Sequence, residues 1–412
     1  WLTAIEGRAP TEEELGAEGG GVVYLLGTPW VCEDENGDGV ITAVSFDYAG
    51  LDMTDLLPWV DALGHAEDVE AFRQACRGLV AYSQNLVAID DGGRVLYTGY
   101  QPLPCRGYLD REVDGTWAEG ADPTALIDGA RYPGFSLPFA SGVIEESLGT
   151  VFPEQCAVPF DAWPQVVDPP GGYVLTANND PGAVSHDGSI TNDPYYLGGP
   201  WDVGFRADAI ERGLQAMMAE GPVTVEGMAG LQGERRSSLG EHFTPWLLAA
   251  IAQGRSADAA ADEPSAILRG LYESRAEAMD AVEERLSGWA ARGHPARSGV
   301  ETFYQSLGPD DGEDAVATMI FNAWFPRVIQ GVFDDEGRPG IWQGSGGRVR
   351  AMDRLLAGRG EANPGDLASW NADTGESAFF DVLGTEIVER SDAVVLQALV
   401  DALSFLEGAG TG

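Results

Sequence analysis

Gly171-Gly-Tyr-Val-Leu-Thr-Ala-Asn178-Asn179-Asp180-Pro181, followed by Asp193-Pro-Tyr-Tyr-Leu197 and by Phe205-Arg206-Ala-Asp-Ala-Ile-Glu-Arg212, is the stretch on which the reading of this chain turns. Tyr173 to Leu175 is an apolar, β-prone run, and Asp180-Pro181-Gly182 is a turn signal. The segment therefore reads as a strand that delivers two adjacent amides into a turn, with a helix opening close to Arg206. An Asn held there presents its NH2 as a rigid donor, the kind that stabilises an oxyanion when an acyl group is attacked. Asn-Asn-Asp-Pro is also ordinary turn chemistry, so the surrounding sequence has to decide between the two.

The 412 residues suffice for one large or two ordinary domains, and 44% hydrophobic content with 11 Trp describes a globular chain. The net charge of −42 comes from 66 acidic and 24 basic residues, and every basic residue is Arg. Such a field repels nucleic acid and anionic lipid surfaces, which excludes both as partners. A GC-rich genome explains the missing Lys, and either that bias or a saline habitat explains the acid excess. No uninterrupted apolar run approaches a membrane span. No signal peptide is visible. The chain starts at Trp1 rather than Met and stops in Gly408-Ala-Gly-Thr-Gly412. We expect a piece cut at both ends, with any export signal upstream.

There is no Cys-x-x-Cys, and His65, His186, His242 and His294 are too scattered for a zinc site. Of four cysteines, Cys105 and Cys156 both sit in Pro-flanked loops and are the expected disulfide pair. An even count permits one or two disulfides in an oxidising compartment, and Cys76, on a helix face with Phe72, is an expected buried free thiol.

Residues 1–205 read as the β-rich part of one core and 206–412 as its mainly helical part. Gly21 to Leu26 and Val40 to Phe46 look like paired strands around Asn36-Gly-Asp-Gly39. Residues 34–39 also match the opening of a calcium loop, but Ser45 stands where the bidentate Glu belongs, which favours the hairpin. His65 to Arg77 is an amphipathic helix with Val69, Phe72 and Cys76 on one side. Gln84 to Tyr100 is a hairpin turning at Asp91-Gly92-Gly93. Residues 101–170, rich in Pro and Gly, form a surface excursion. Helical periodicity then covers 206–219, 224–253, 265–292, 312–333, 346–357 and 391–407. Met217, Met218, Met228 and Met279 fit core stripes, as do Trp246, Trp289, Trp324 and Trp370. No fixed-period repeat is present.

This order resembles the penicillin acylase family of N-terminal-nucleophile hydrolases. The resemblance runs through Val44 to Leu51, Phe72-Arg73, Gln84-Asn85, Ile89-Asp-Asp-Gly92, Tyr97-Thr-Gly99, Val158-Pro-Phe160, Gly172-Tyr173 and Ala177-Asn-Asn179. It continues through Tyr195-Tyr-Leu197, Arg206 to Arg212, Val223 to Gln232 and Ile320-Phe-Asn-Ala-Trp324. Each piece alone is weak; their shared order over some 300 residues is specific.

The resemblance implies an α+β chain: a partial αββα sandwich of the N-terminal-nucleophile type with a large helical second half. It implies amide hydrolysis by the first residue of a self-cleaved β chain, usually Ser, whose own α-amino group takes the proton. Asn178 would then be the oxyanion donor, and Arg206 would orient it through planar donors. Asp193 is the candidate ligand of a structural calcium ion, with a turn-forming Asp before Pro194 as the alternative; no cofactor serves the chemistry. Trp1 is no nucleophile, so the nucleophile, part of the oxyanion hole and most of the acyl pocket are expected upstream, and this chain alone is expected to be inactive. A small N-acyl compound, such as a β-lactam side-chain amide or an acyl-homoserine lactone, is the implied substrate. The implied partners are an α chain or further β-chain segments of the same precursor, in the periplasm or outside the cell. A non-catalytic family member used for binding or scaffolding is the alternative reading.

Overall fold

The computed structural model of the protein describes residues 22–25, 28–31, 47–49, 56–80, 83–132, 134–140, 143–144, 156–184, 193–199, 201–303, 306–335, 345–360 and 367–409. The chain forms two compact units. One comprises Trp1–Gln84, Gly99–Trp163 and Pro194–Leu197; the other comprises Asn85–Thr98, Pro164–Asp193 and Gly198–Gly412. The mixed helix and strand content places the chain in the α+β class.

In the first unit, β1 (Val22–Leu25) pairs antiparallel with β2 (Thr28–Val31), Val22 opposite Val31 and Leu25 opposite Thr28. The expected second strand at 40–46, the calcium-loop-like opening at 34–39 and Cys32 lie outside the described residues. Helix α1 (Leu57–Gly64) precedes α2 (Val69–Ala75). Asp68 caps α2, its carboxylate accepting from the Ala71 N–H at 2.7 Å. The helix tightens into a 3-10 turn at Cys76–Gly78, where Gly78 lets the backbone sit against Trp59: a Cβ there would lie 3.1 Å from the Trp59 Cβ. Cys76 is the buried free thiol the sequence predicts, and burial pushes its pKa up to about 11, which keeps it protonated and inert.

Cys105 and Cys156 form the expected disulfide, closing a loop across 51 positions. By the loop-entropy relation such a link stabilises the fold by about 4 kcal/mol. Backbone bonds flank it, from the Cys105 N–H to the Cys156 carbonyl at 3.1 Å and from the Val158 N–H to the Leu103 carbonyl at 2.8 Å. The Pro- and Gly-rich stretch is therefore more than a solvated excursion. It carries its own buried cluster of Leu109, Ala118, Ala121 and Tyr132, and a short ladder of Phe139–Ala140 with Val143–Ile144.

The second unit opens with the expected hairpin, β3 (Leu86–Ile89) against β4 (Val95–Thr98). Gly93 takes φ +79°, its N–H donates to the Asp90 carbonyl, and the Asp90 carboxylate accepts from the Arg94 N–H at 3.0 Å. A third strand, β5 (Gln165–Val167), pairs with the far edge of β4. It lies inside the stretch read as excursion. Three residues are too short to show a period of two, and what holds them is Asp168, which accepts from the Val95 N–H at 2.9 Å and from Arg94 Nε at 3.0 Å.

The helices follow as α3 (Phe205–Glu220), α4 (Val225–Gln232), α5 (Ser238–Ser256), α6 (Glu263–Ser274), α7 (Ala276–Ala291), α8 (Asp311–Phe333), α9 (Ser345–Ala357) and α10 (Ser391–Ala409). Two predicted helices are each divided. The span 224–253 breaks after Gln232, because Arg236 bridges to Pro295 and Ser237 restarts the helix as a cap, accepting from the Gly240 N–H at 3.0 Å. The span 265–292 breaks at Arg275, whose φ of −145° and ψ of 31° are not helical. Thr224 caps α4 through the Gly227 N–H, as its position suggests. The acid run at the start of α8 does more than favour the helix dipole: Asp314 is buried and bonded to Arg292 at 2.7 Å, and Asp311 meets Arg297 at 3.1 Å.

The core of this unit lies between α5, α7, α8 and α10 and is filled by Phe243, Ile251, Met279, Trp289, Phe321, Trp324 and Leu399. Each such side chain contributes roughly 1.5–3 kcal/mol on burial. The two indole N–H groups are satisfied inside it: Trp324 donates to the Val395 carbonyl at 3.1 Å and Trp289 to the Pro295 carbonyl at 2.9 Å. Trp246 and Trp370 are only partly buried. Met279 is a core residue as expected, but Met218 and Met228 are exposed. They border an open 590 Å³ depression with Val87 and Tyr173, since α4 buries no side chain.

Two expectations follow. Gly240 abuts Trp289 so closely that a Cβ would lie 2.3 Å from the indole Cη2. Gly240→Ala should cost about 1–3 kcal/mol by overpacking, seen as a lower midpoint in chemical denaturation. His294 is buried at φ +56°, its ring 4.8 Å edge-on to Trp289 and its Nε2 without a hydrogen-bond partner among the described residues. Burial lowers its pKa, with Glu241 opposing and Arg236 adding to the effect. The unfolded chain therefore takes up the proton first as pH falls below about 6.5, so stability drops from pH 7.5 to 5.5. His294→Asn, which tolerates the left-handed backbone, should flatten that slope in urea titrations; an unchanged slope would count against it.

Candidate active site

The site builds from the turn at Ala177–Asp180 and the start of α3. Tyr173–Thr176 pairs with no strand among the described residues, so the expected strand is not a ladder element. What replaces the ladder is a single parallel bridge between Asn179 and Asp202, supported by the Asp202 N–H donating to the Asn178 carbonyl at 2.9 Å. Asn178 has φ +58°, in the left-handed region that Asn tolerates better than most residues. That twist ends the extended run and turns the following amides back. Asn179 uses its Oδ1 to accept from the Ala177 N–H at 3.1 Å, and Asp180 accepts from Gly182 and Val184, both at 3.1 Å.

Arg206, in the first turn of α3, closes the turn. Its Nη2 donates to the Ala177 carbonyl at 2.7 Å, to Asn178 Oδ1 at 2.7 Å and to Asp202 Oδ2 at 2.9 Å. A guanidinium only donates, so the Asn178 atom it meets must be the carbonyl oxygen. The amide nitrogen is thereby turned away from Arg206. Asn178 is exposed, and among the described residues its Nδ2 donates to nothing. The result is an oriented, unoccupied NH2 donor. A second anchor lies at the other end of the run, where the Tyr173 hydroxyl donates to Glu211 at 2.5 Å and accepts from Gln215 at 3.0 Å.

Arg206 also borders a 620 Å³ cavity whose walls include Ile210, Met228, Leu231 and Leu239. The α3 N-terminus also borders a 480 Å³ pocket that sequence reading missed. There His242 Nε2 meets Asp353 Oδ1 at 2.5 Å, and the imidazole packs edge-on to Phe205 at 5.2 Å. Arg212 grips Glu241 in the same pocket with two bonds of 2.9 and 3.0 Å, which hold that carboxyl below the usual range. His242 and Asp353 are 111 positions apart, and no local pattern announces the pair. Ser238 lines the pocket too, but no hydrogen bond joins it to His242. Asp193 is half-buried, and among the described residues no three His, Cys, Asp or Glu side chains converge as metal ligands.

A comparison with known protein families matches residues 23–412 to one described as penicillin amidase. No curated protein sequence matches the chain.

Proposed function

The chain belongs to the penicillin amidase family, and on that premise we propose that it serves the hydrolysis of the amide bond of a small N-acyl compound by the N-terminal-nucleophile mechanism. The family supports a hydrolase of the amidase type; the roles below are our reading. The observation that carries them is the free Nδ2 of Asn178, aimed by Arg206. When a hydroxyl attacks an amide carbonyl, negative charge gathers on the oxygen. A donor already oriented for that oxygen stabilises it without reorganising, which is the largest electrostatic effect available to acyl transfer. Arg206 touches no reacting atom in this scheme and is a positioning residue. The apolar cavity beside it suits the hydrocarbon part of an acyl group.

In the same reading the β3–β4–β5 sheet belongs to an αββα sandwich, and the partner is an α chain of the same self-cleaved precursor, exported to the periplasm or beyond. Candidate substrates are β-lactam side-chain amides and acyl-homoserine lactones. No described helix is long and apolar enough to cross a membrane.

Asn178→Ala in the complete precursor should lower kcat about a hundredfold or more while folding and self-cleavage survive, measured by product release from a panel of N-acyl substrates. Undiminished turnover would remove Asn178 from the site. Arg206→Lys should lower kcat with little change in KM, because an ammonium on a flexible stem does not fix the direction of the Asn178 amide as the rigid guanidinium nitrogen does. A fully active Lys variant would reduce Arg206 to a surface charge.

A further inference from the structure

Arg106 is a partly buried cation that the candidate active site leaves unused. It follows the disulfide residue Cys105 with φ +58°. Its guanidinium lies 4.6 Å from the centre of the Tyr196 ring, and Nη1 donates to the Tyr196 carbonyl at 2.9 Å and the Pro104 carbonyl at 3.2 Å. These contacts orient the group without neutralising it. Arg73, Arg94 and Arg131 each meet a carboxylate within 3.0 Å, whereas among the described residues no carboxylate forms an ion pair with Arg106. Nε and Nη2 make no bond there and remain accessible. Burial without a counter-charge lowers the guanidinium pKa, which Tyr108 and Tyr196 partly offset.

The group lines a 520 Å³ cavity whose other walls are largely apolar, Val80, Leu103 and Phe135 among them. Asp47 borders the same cavity but is exposed, and its Oδ2 accepts from the Phe135 N–H at 2.8 Å. Water screens that acid, so it is the buried cation that lacks a partner. We propose that this cavity binds a small monocarboxylate with an apolar body, the carboxylate on the free edge of the Arg106 guanidinium and the hydrocarbon against Val80, Leu103 and Phe135. The planar donors match a carboxylate's two oxygens. Asp47 and the net charge of −42 oppose a dianion, which separates this ligand from phosphate. The proposal does not depend on amide hydrolysis, and its test reads binding rather than turnover.

Benzoate, isosteric benzamide and inorganic phosphate would be titrated by calorimetry into the whole protein at low salt. Benzoate should bind about tenfold or more tighter than benzamide, as expected for charge-assisted bonds, and phosphate should not compete. Arg106→Gln should remove the preference for benzoate while benzamide still binds, which shows that the cavity survives. Should that variant fail to fold, Asp47→Asn keeps the acceptor for Phe135 and should raise benzoate affinity severalfold without changing benzamide. Equal binding of benzoate and benzamide, stronger binding of phosphate, a folded Arg106→Gln variant with undiminished benzoate affinity, or no gain in Asp47→Asn would each overturn the assignment.

Discussion

One nitrogen of Arg206 gathers three oxygens: the Ala177 carbonyl, the Asn178 side chain and the Asp202 carboxylate. The turn at Asn178 cannot rest on a strand ladder, because its left-handed backbone interrupts the extended run. A side chain from the next helix supplies the missing constraint. Its value lies in direction rather than stability. Arg206 and Asp202 are both more than half exposed, and an exposed ion pair contributes at most about 1 kcal/mol. The same contact decides which end of the Asn178 amide is available, which stability alone would not do.

That direction holds only if α3 itself is fixed. Phe205, the neighbour of Arg206, packs against the helical core and lies 5.9 Å from the Phe243 ring. Phe243 is fully buried and in turn meets the tilted ring of Phe325 at 4.8 Å. Close approach elsewhere in α5 depends on glycine: a Cβ on Gly254 would sit 2.7 Å from Leu396. A dense interior has no room for α3 to rock, so the rigidity of the core reaches the turn through one aromatic side chain.

Charge organises both units. The sequence sets 66 acids against 24 arginines, and among the described residues many guanidinium groups pair with carboxylates, Arg212, Arg255 and Arg275 among them. Arg292 and Arg359 each meet an acid that is itself largely buried. Arg359 pairs with Asp392, whose pKa burial raises and whose charge Arg359 helps to keep. Arg106, Arg111 and Arg327 are instead held by carbonyls and an aromatic ring, and of the three it is Arg106 that borders the 520 Å³ cavity.

Local chemistry was readable from amino-acid order alone. Asp91-Gly92-Gly93 announced its hairpin, Thr224 its helix start, and Pro-flanked Cys105 and Cys156 their link. The ordered motifs from Val44 to Trp324 announced the family. The same order named Asn178 and Arg206 as candidates, and the resemblance implied that the guanidinium would orient the amide, but not that it would also hold the Ala177 carbonyl and the Asp202 carboxylate. β5 stayed hidden because three residues carry too little periodicity. The pairing of His242 with Asp353 stayed hidden because neither flanking sequence refers to the other. Backbone preferences act over a few residues and are written where they act. Which distant donors and acceptors meet is settled only when the helices pack, since packing brings together side chains that no local rule relates.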